Sequence, residues 1–216
     1  MRPKHLAIAL SRLVPHPCGN VGLEQYATEG DLAAYWMLAV DELDGLEGAV
    51  VADLGAGNGI LGIACLMLGA KHVHFVECDE DVLEVLSSNL ERLDEDLSMR
   101  STVHATTVSG EALAMDELDV VVMNPPWGVQ RAKADRPFLL TALSSGANAV
   151  HLLHSDKATH IEGVAADLGW DSEDVLRTDF RLPAAYSHHA QRTGSTEVRC
   201  WRLHRPGDAR IPVHED

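Results

Sequence analysis

Lysine is scarce in this chain of 216 residues, which contains only Lys4, Lys71, Lys133 and Lys157. The 33 acidic residues outnumber the 17 lysines and arginines, so the formal net charge is −16. An acidic, lysine-poor surface is typical of proteins that stay soluble in concentrated salt. The composition therefore predicts a halophilic source.

Paired cysteines and long apolar runs are also missing. Cys18, Cys65, Cys78 and Cys200 show no C-x-x-C spacing, and the apolar surroundings of Cys65 and Cys78 predict buried thiols. This pattern indicates a reducing cytoplasm and no structural zinc in the chain. No stretch resembles a transmembrane span, and residues 1–13 lack the apolar core and cleavage site of a signal peptide. We therefore expect a cytoplasmic protein without a membrane partner.

Positive charge is concentrated towards the two ends of the chain. Residues 1–22 contain three basic and no acidic residues, and residues 177–210 contain seven arginines against three acidic residues. Both ends could therefore face a phosphate backbone. Arginines scattered over a solvated strand are the alternative.

Short apolar runs alternate with amphipathic segments along most of the chain. Strands are predicted at residues 49–54, 72–76, 102–107, 118–123, 147–153, 175–182 and 196–203, and helices after the N-cap Thr28 and at residues 60–68, 79–92, 137–145 and 158–168. The helix after Thr28 carries a stripe, including Tyr35 and Trp36, that is predicted to pack in the core. The alternation indicates an α/β fold with a mainly parallel seven-stranded sheet, helices on both faces and an antiparallel C-terminal hairpin. We divide it into an N-terminal helix and arm (1–22), one domain (23–205) and a flexible tail (206–216).

The segment Asn124-Pro125-Pro126-Trp127 follows a buried strand, which the two prolines end. The Asn124 side chain and the Pro125 carbonyl are left at the strand end, with an indole behind them. Two acceptors and a flat ring suit a planar amine, because the acceptors take its N–H bonds and the ring stacks on its face. An ordinary proline-rich turn with a packed tryptophan is the alternative.

A second motif, residues 53–59, lies at the end of the first strand and is rich in glycine. We call these residues the glycine loop. Residues 57–62 also satisfy G-x-G-x-x-G, the dinucleotide fingerprint, where glycine permits a sharp turn and the close approach of a ligand. Glu77 follows about twenty residues later at the next strand end, where an acidic side chain can accept both ribose hydroxyls; the alternative is a surface carboxylate. Because ligands bind beyond the carboxyl ends of parallel strands, the glycine loop, Glu77, Thr106 and Asn124 are predicted to line one crevice.

Other polar residues are weaker candidates. Residues 128–136, which include Arg131, Lys133 and Arg136, are predicted to form a mobile loop beside the substrate. His151 and His154 resemble H-x-x-H, but no third ligand is apparent in the sequence, so no metal site is predicted. His154 either contacts the substrate or packs in the core.

These motifs together resemble class I S-adenosylmethionine-dependent methyltransferases, whose fold is Rossmann-like, and in particular the small-subunit ribosomal RNA adenine N6-methyltransferase family. The resemblance rests on residues 23–28 (Leu-Glu-Gln-Tyr-x-Thr), 50–55 (Val-Val-Ala-Asp-Leu-Gly), 67–70 (Met-Leu-Gly-Ala), 123–126 (Met-Asn-Pro-Pro) and 182–186 (Leu-Pro-Ala-x-Tyr), and it extends roughly from Leu23 to Leu203. It argues against an oxidoreductase, which has no need of the Asn-Pro-Pro-Trp segment.

The resemblance implies a role for each matching position. Gln25, Tyr26 and Thr28 would close over S-adenosylmethionine, and Asp53, Gly55, Gly57, Asn58, Gly59, Ile60, Cys78 and Asn124 would surround it. Glu77 would hold its ribose, Thr106 and Thr107 would flank its adenine, and Asn124, Pro125, Pro126 and Trp127 would hold the target base. Arg131, Lys133, Arg136, His154, His188 and Arg192 would approach the RNA. A small zinc-binding activator protein is the implied partner in a heterodimer.

The chain departs from this family pattern at three places. Thr106 stands where related enzymes usually have an aspartate near the cofactor adenine, and Trp127 stands where phenylalanine is more frequent. A lysine-rich patch expected after Tyr186 is replaced by His188-His189-Ala190-Gln191-Arg192. High salt steeply weakens contacts between basic side chains and phosphates, which is consistent with the absence of this lysine-rich patch.

Two other functions share part of this pattern. A protein glutamine N5-methyltransferase that acts on a translation release factor has the same grip on a planar amide, usually with tyrosine at the position of Trp127. A non-catalytic RNA-binding assembly factor would keep the fold without the chemistry, and absence of cofactor binding would identify it.

Overall fold

The computed structural model describes residues 1–18, 27–113, 115, 117–128, 131–181 and 195–212. The helices are α1 (Pro3–Leu10), α2 (Gly30–Asp44), α3 (Ile60–Met67), α4 (Glu80–Glu91), α5 (Glu95–Met99), α6 (Arg136–Leu143) and α7 (His160–Asp167). The strands are β1 (Val50–Leu54), β2 (His72–Glu77), β3 (Ser101–Ala105), β4 (Val120–Met123), β5 (Ala149–Ser155), β6 (Asp171–Arg181) and β7 (Ser195–His204). Within the described ranges, no helix is long and apolar enough to cross a membrane.

The seven strands form one sheet in the order β3-β2-β1-β4-β5-β7-β6. Neighbouring strands from β3 to β5 are parallel, whereas β7 runs antiparallel to both β5 and β6. The strand order reverses between β1 and β4, which is the switch point where doubly wound sheets bind their ligands. The predicted mainly parallel sheet with a C-terminal antiparallel hairpin is therefore confirmed.

Two apolar layers cover the sheet, one on each face. One layer contains Leu6 of α1, Trp36 of α2 and Ile63 of α3, and the other contains Leu139 of α6 and Ile161 of α7. All four residues of β4 are buried, as expected for a central strand covered on both faces. The ends of β1 and β4 thus belong to central strands that are covered by helices on both faces.

Several local predictions are wrong. Glu29, not Thr28, occupies the N-cap of α2, and the Thr28 hydroxyl instead accepts a hydrogen bond from Asn124. Tyr35 is 61% exposed because it points away from the face of α2 that packs on the sheet. Cys78 is exposed beyond the end of β2. The helix α5 was not predicted, because it is short and has no buried residue. The strand β6 begins at Asp171, four residues before its predicted start.

The two arginines of β7 pair with carboxylates of the protein and do not point into the solvent, where a phosphate backbone would bind. Arg202 has a fully buried side chain that pairs with Asp44 at 2.8 Å and Glu173 at 2.7 Å. Arg199 is 15% exposed and pairs with Asp156 at 2.9 Å. The phosphate-facing interpretation is wrong for these two positions, because the pairing that a buried guanidinium needs is already supplied by the protein.

The segment that follows β7 contacts the sheet as far as Ile211. The backbone N–H groups of Arg210 and Ile211 donate to the Glu173 carboxylate at 2.8 Å and 2.7 Å. Residues 213–216 of the predicted tail, and residues 182–194 of the predicted β6–β7 loop, lie outside the described residues.

Candidate functional site

A pocket of about 310 Å³ opens beyond the carboxyl ends of β1, β2 and β4. Its walls include most of the residues predicted to bind a cofactor: Thr28, Asp53, Gly55, Gly57, Asn58, Ile60, Glu77, Cys78, Thr106, Thr107 and Asn124. Because these residues come from four strand ends and the segment before α2, the topology brings them to one crevice. The predicted common crevice is confirmed.

The glycine loop turns sharply between β1 and α3. Gly55 has a φ of +70°, and a Cβ atom there would lie 2.9 Å from Cε1 of Phe138. Gly62, the last glycine of the fingerprint, lies against Phe75 of β2, where a Cβ would approach a ring carbon to 2.3 Å. Glycine is therefore required at Gly55 by conformation and space, and at Gly62 by the close packing of α3 on the sheet.

Glu77 is oriented by three backbone donors. One of its carboxylate oxygens accepts from the N–H of Gly57 at 3.0 Å, and the other accepts from Cys78 at 2.8 Å and Asp79 at 3.0 Å. Glu77 follows Gly57 by twenty residues in the sequence, and the two residues are in direct contact in the structure. This contact joins the glycine loop to the end of β2. A carboxylate has about four acceptor positions, so these three bonds leave about one for a ribose hydroxyl.

Asp53 lies at the end of β1 and is 1% exposed. One carboxyl oxygen accepts from the N–H of Gly62 at 2.8 Å, whereas the other is buried without a hydrogen bond to the described residues. Burial raises the pKa of Asp53 to about 8, against the lowering effect of the Gly62 hydrogen bond and with a further contribution from the charge of Glu77. A bound cation beside this group would favour its ionised form.

The amide of Asn124 has a defined orientation. Its Oδ1 accepts from the indole Nε1 of Trp127 at 3.2 Å, and its Nδ2 donates to the Thr28 hydroxyl at 3.1 Å. The oxygen and nitrogen of the amide are therefore distinguished by their partners. An acceptor oxygen at the end of β4 is placed in the pocket wall, as the Asn-Pro-Pro-Trp motif predicts.

The remaining predicted residues have different positions. Pro126, Arg131 and Lys133 line the pocket, Pro125 is buried, Gly59 is the N-cap of α3, and Arg136 is exposed at the start of α6. The loop predicted at residues 128–136 therefore ends where α6 begins, at Arg136. Gln25, Tyr26, His188 and Arg192 lie outside the described residues.

Asn58 and the N-terminal segment are connected. The Asn58 Nδ2 donates to the carbonyl of Val14 at 3.0 Å, and Asn89 of α4 forms hydrogen bonds with both the N–H and the carbonyl of Val14. His16, two residues later, lines the pocket, and a Cβ on Gly57 would lie 2.9 Å from its ring. Burial lowers the pKa of His16, although the nearby charges of Glu77 and Asp79 oppose this shift.

Sequence reasoning missed His16, Phe138, Asp135 and His160. His16 belongs to an arm without a recognised motif, and Phe138 is one apolar residue of an amphipathic helix. The sequence shows no third group near His154, but Asp135 and His160 approach it so closely that the ligand atoms of the three side chains lie within 4.8 Å of one another. These residues are separated in sequence by other elements, so no spacing rule would have revealed them.

Comparisons with known proteins agree with this geometry. The model of a family described as Conserved hypothetical protein 95 matches residues 33–168. The chain is 31% identical to the uncharacterized protein MJ0284 of Methanocaldococcus jannaschii, with 96% of each chain covered. It is also 31% identical to the rRNA N(6)-adenosine-methyltransferase Mettl5 of Drosophila melanogaster, over 84% of this chain and 86% of the fly protein.

Solved structures show the same architecture. The structure of PH1948 from Pyrococcus horikoshii superposes with a TM-score of 0.84 at 36% identity, and covers 95% of this chain and 98% of its own. Precorrin-6y C5,15-methyltransferase from Geobacter metallireducens has a TM-score of 0.57 at 15% identity, covering 84% of this chain and 92% of its own. The fold is the class I methyltransferase fold. With the family model matching more than half of its length and the fly protein matched over most of its own, the chain belongs to the Conserved hypothetical protein 95 family and to the family of the rRNA N(6)-adenosine-methyltransferase Mettl5.

Proposed function

We propose that this protein transfers a methyl group from S-adenosylmethionine to the N6 amino group of an adenosine in small-subunit ribosomal RNA. The observation that carries the proposal is the position of Asn124, whose oriented amide lies in the wall of the pocket that also contains the glycine loop and Glu77. The family relative from Drosophila melanogaster, named rRNA N(6)-adenosine-methyltransferase, supports the same reaction class.

The residues of the pocket fit S-adenosylmethionine. The glycine loop lines the pocket, where a Cβ at Gly57 would lie 2.9 Å from the His16 ring, and Asp53 offers a buried carboxyl oxygen that has no hydrogen bond to the described residues. Glu77 would hold the ribose, and Thr106 and Thr107 would lie against the adenine. When bound, this cofactor supplies an electrophilic methyl group on a positively charged sulfur.

The protein would act on the target base chiefly by positioning it. The lone pair of an adenine N6 is delocalised into the ring, so the amine is a poor nucleophile. Acceptance of its N–H bonds by Asn124 Oδ1 and the Pro125 carbonyl favours a more pyramidal nitrogen and makes the lone pair available. An amide oxygen can accept two hydrogen bonds, so this role is compatible with the bond from Trp127.

No strong general base is needed for this reaction, because the nitrogen becomes acidic only as the methyl group transfers. Catalysis therefore depends on orientation and on contacts that are strongest in the transition state. The target adenosine has to leave its stack in the RNA to reach the site, and the indole of Trp127 replaces a stacking neighbour. Arg131 and Lys133, which line the pocket, would approach the RNA backbone.

We further infer that a small zinc-binding activator protein pairs with this chain in the cytoplasm of a halophile. The support is the edge strand β3, where Val103 is 37% exposed, and the preceding helix α5, where Met99 is 70% exposed. An exposed sheet edge is a natural surface for a partner strand. The net charge of −16 supports function in concentrated salt.

The test is a methyl-transfer assay with labelled S-adenosylmethionine in molar potassium chloride, with the activator present. Unmodified small-subunit ribosomal RNA and a translation release factor serve as separate substrates, and the digested products are identified by mass. The proposal expects N6-methyladenosine in the RNA. Label on a glutamine of the release factor would overturn it in favour of the protein methyltransferase.

The Asn124→Ala variant serves as the internal control of this assay. It should abolish methyl transfer and leave cofactor binding largely intact, since the amide is one of many groups around the cofactor but the only side-chain acceptor proposed for the target amine. Near-normal turnover by this variant would remove Asn124 from the proposed role. Failure of the wild-type protein to bind the cofactor would favour the non-catalytic assembly factor.

A further inference from the structure

The strongest feature outside the described chemistry is a cluster of one carboxylate and two imidazoles behind Trp127. Asp135 precedes α6, His154 belongs to β5, and His160 begins α7. Asp135 and His154 have side chains that are 4% and 3% exposed, whereas His160 is 48% exposed. The cluster thus joins three separate elements and reaches the surface only through His160.

Asp135 is the centre of this cluster. Its carboxylate accepts a short hydrogen bond from Nε2 of His160 and lies 3.4 Å from Nε2 of His154. The side chain does not cap its own helix. Burial alone would raise the pKa of Asp135, but the interactions with His154 and His160 outweigh this effect and lower it. The group is therefore an ionised carboxylate held between two rings.

His154 connects the cluster to the proposed target-base site. Its ring stacks on the indole of Trp127 with centroids 5.8 Å apart and an interplanar angle of 27°. It also meets the ring of His160 edge-on, at 5.7 Å and 84°. Because Trp127 also donates its N–H to Asn124, the indole is held at one edge by the amide and on one face by His154.

The hydrogen bonding of His154 distinguishes between a metal site and a positioning device. Its Nδ1 accepts the N–H of Ser155 at 2.8 Å, so in the neutral ring the proton is on Nε2. Nε2 is the nitrogen that faces Asp135, and within the described residues it has no hydrogen bond of good geometry. A protonated nitrogen cannot bind a cation, whereas it is attracted to a carboxylate.

We propose that Asp135, His154 and His160 form a chain of side-chain contacts, called the relay below, that fixes the plane of the Trp127 indole. The relay thereby fixes the orientation of the target base. The proposal rests on the function proposed above, in which the base stacks on Trp127. Asp135 and His154 are positioning residues in this scheme, because they act on the substrate through Trp127. His160 anchors the carboxylate from α7.

The first test needs no substrate. The chain has four tryptophans, whose indole N–H signals can be resolved by NMR, and the signal lost in Trp127→Phe identifies Trp127. Asp135→Asn and His154→Phe should shift or broaden the Trp127 signal. The matched control is His151→Phe, because His151 is also a buried histidine of β5, pairs with Asp44 at 2.7 Å and lies on the opposite face of the strand. It should leave the Trp127 signal in place.

The second test is a double-mutant cycle on methyl transfer. Asp135→Asn should lower kcat about tenfold in the wild-type background and less than about twofold in a Trp127→Leu background, because interacting residues are not additive. The dissociation constant of S-adenosylhomocysteine should stay unchanged. An equal effect in both backgrounds, or an unmoved Trp127 signal, would overturn the proposal.

A metal analysis tests the competing explanation, which is that the three side chains bind a cation. The purified wild-type protein is dialysed against zinc or manganese and its metal content is measured, with Asp135→Asn beside it. One equivalent that is retained by the wild type and lost by the variant would overturn the relay in favour of a cation site. If the wild type methylates neither RNA nor a release factor, the proposed function fails, and the NMR test still decides whether the relay holds Trp127.

Discussion

The indole Nε1 of Trp127 donates a hydrogen bond to Oδ1 of Asn124 across the two prolines that separate them, at 3.2 Å. This bond couples the stacking ring to the acceptor of the proposed target amine. Thr28 completes the arrangement by accepting from the other end of the amide. Phenylalanine is more frequent at this position in the family that the sequence resembles, and its ring has no hydrogen-bond donor. The bond to Asn124 therefore depends on the tryptophan of this chain.

Replacing Trp127 with phenylalanine separates stacking from hydrogen bonding. Trp127→Phe keeps an aromatic face but removes the donor to Asn124, so we expect kcat to fall by about three- to tenfold, in line with the roughly 1 kcal/mol of a net hydrogen bond. Trp127→Leu removes both interactions and should reduce kcat by roughly a hundredfold. Single-turnover methyl transfer measures both variants. Equal rates for Trp127→Phe and the wild type would show that the N–H bond does not contribute.

Glu77 should determine cofactor affinity. In Glu77→Gln one oxygen becomes an NH₂ group, which would face the backbone N–H groups of Gly57, Cys78 or Asp79 or the ribose hydroxyls. We expect S-adenosylhomocysteine to bind at least about tenfold more weakly, because hydrogen bonds to a charged group contribute about 1.5–3 kcal/mol. Isothermal titration calorimetry gives the affinity. Glu80→Gln, an exposed change in the first turn of α4, is the control and should bind normally.

Asp53 makes stability depend on pH. Its folded-state pKa of about 8 lies above the unfolded value, so its contribution to the free energy of unfolding is complete below about pH 4 and is lost as pH rises towards 8. Asp53→Asn removes this titration and keeps an oxygen for the Gly62 N–H. Relative to this variant, the wild type should lose a free energy of unfolding on the order of a few kcal/mol between pH 5 and pH 8.5.

Urea denaturation at both pH values measures this difference. The exposed Asp167→Asn change at the end of α7 controls for the general effect of removing a negative charge. Parallel pH profiles for the wild type and Asp53→Asn would contradict the raised pKa. The addition of S-adenosylmethionine should reduce the loss at high pH, because its positive charge favours the ionised carboxyl.

Arg202 should be essential for stability. Its buried guanidinium pairs with Asp44, Glu173 and Asp208, so Arg202→Met leaves two buried carboxylates without their main partner. We expect the free energy of unfolding to fall by about 3–5 kcal/mol. Chemical denaturation measures it, and Arg177→Met is the control, since Arg177 is 56% exposed and its ion pairs are solvated. A loss below about 1 kcal/mol for Arg202→Met would show that the network is not required.

The sequence by itself determined the fold class and most of the pocket. Strand ends carry ligand residues in any doubly wound sheet, so the glycine loop, Glu77 and Asn124 could be assigned to one crevice from local patterns alone. Glu77 also contacts Gly57 directly, which the sequence did not predict. Local patterns are sufficient here because the motif and the strand that presents it are adjacent in the chain.

Only the tertiary structure decided how side chains from distant segments meet. Thr28 looks like a helix cap in sequence, but its hydroxyl binds Asn124, 96 residues away. The arginines of β7 looked available for phosphate, but Arg202 is enclosed by Asp44, which is 158 residues away. Asp135, His154 and His160 have no recognisable spacing, and they meet because α6, β5 and α7 pack together. Such contacts depend on the packing of whole elements, which periodicity along the chain does not encode.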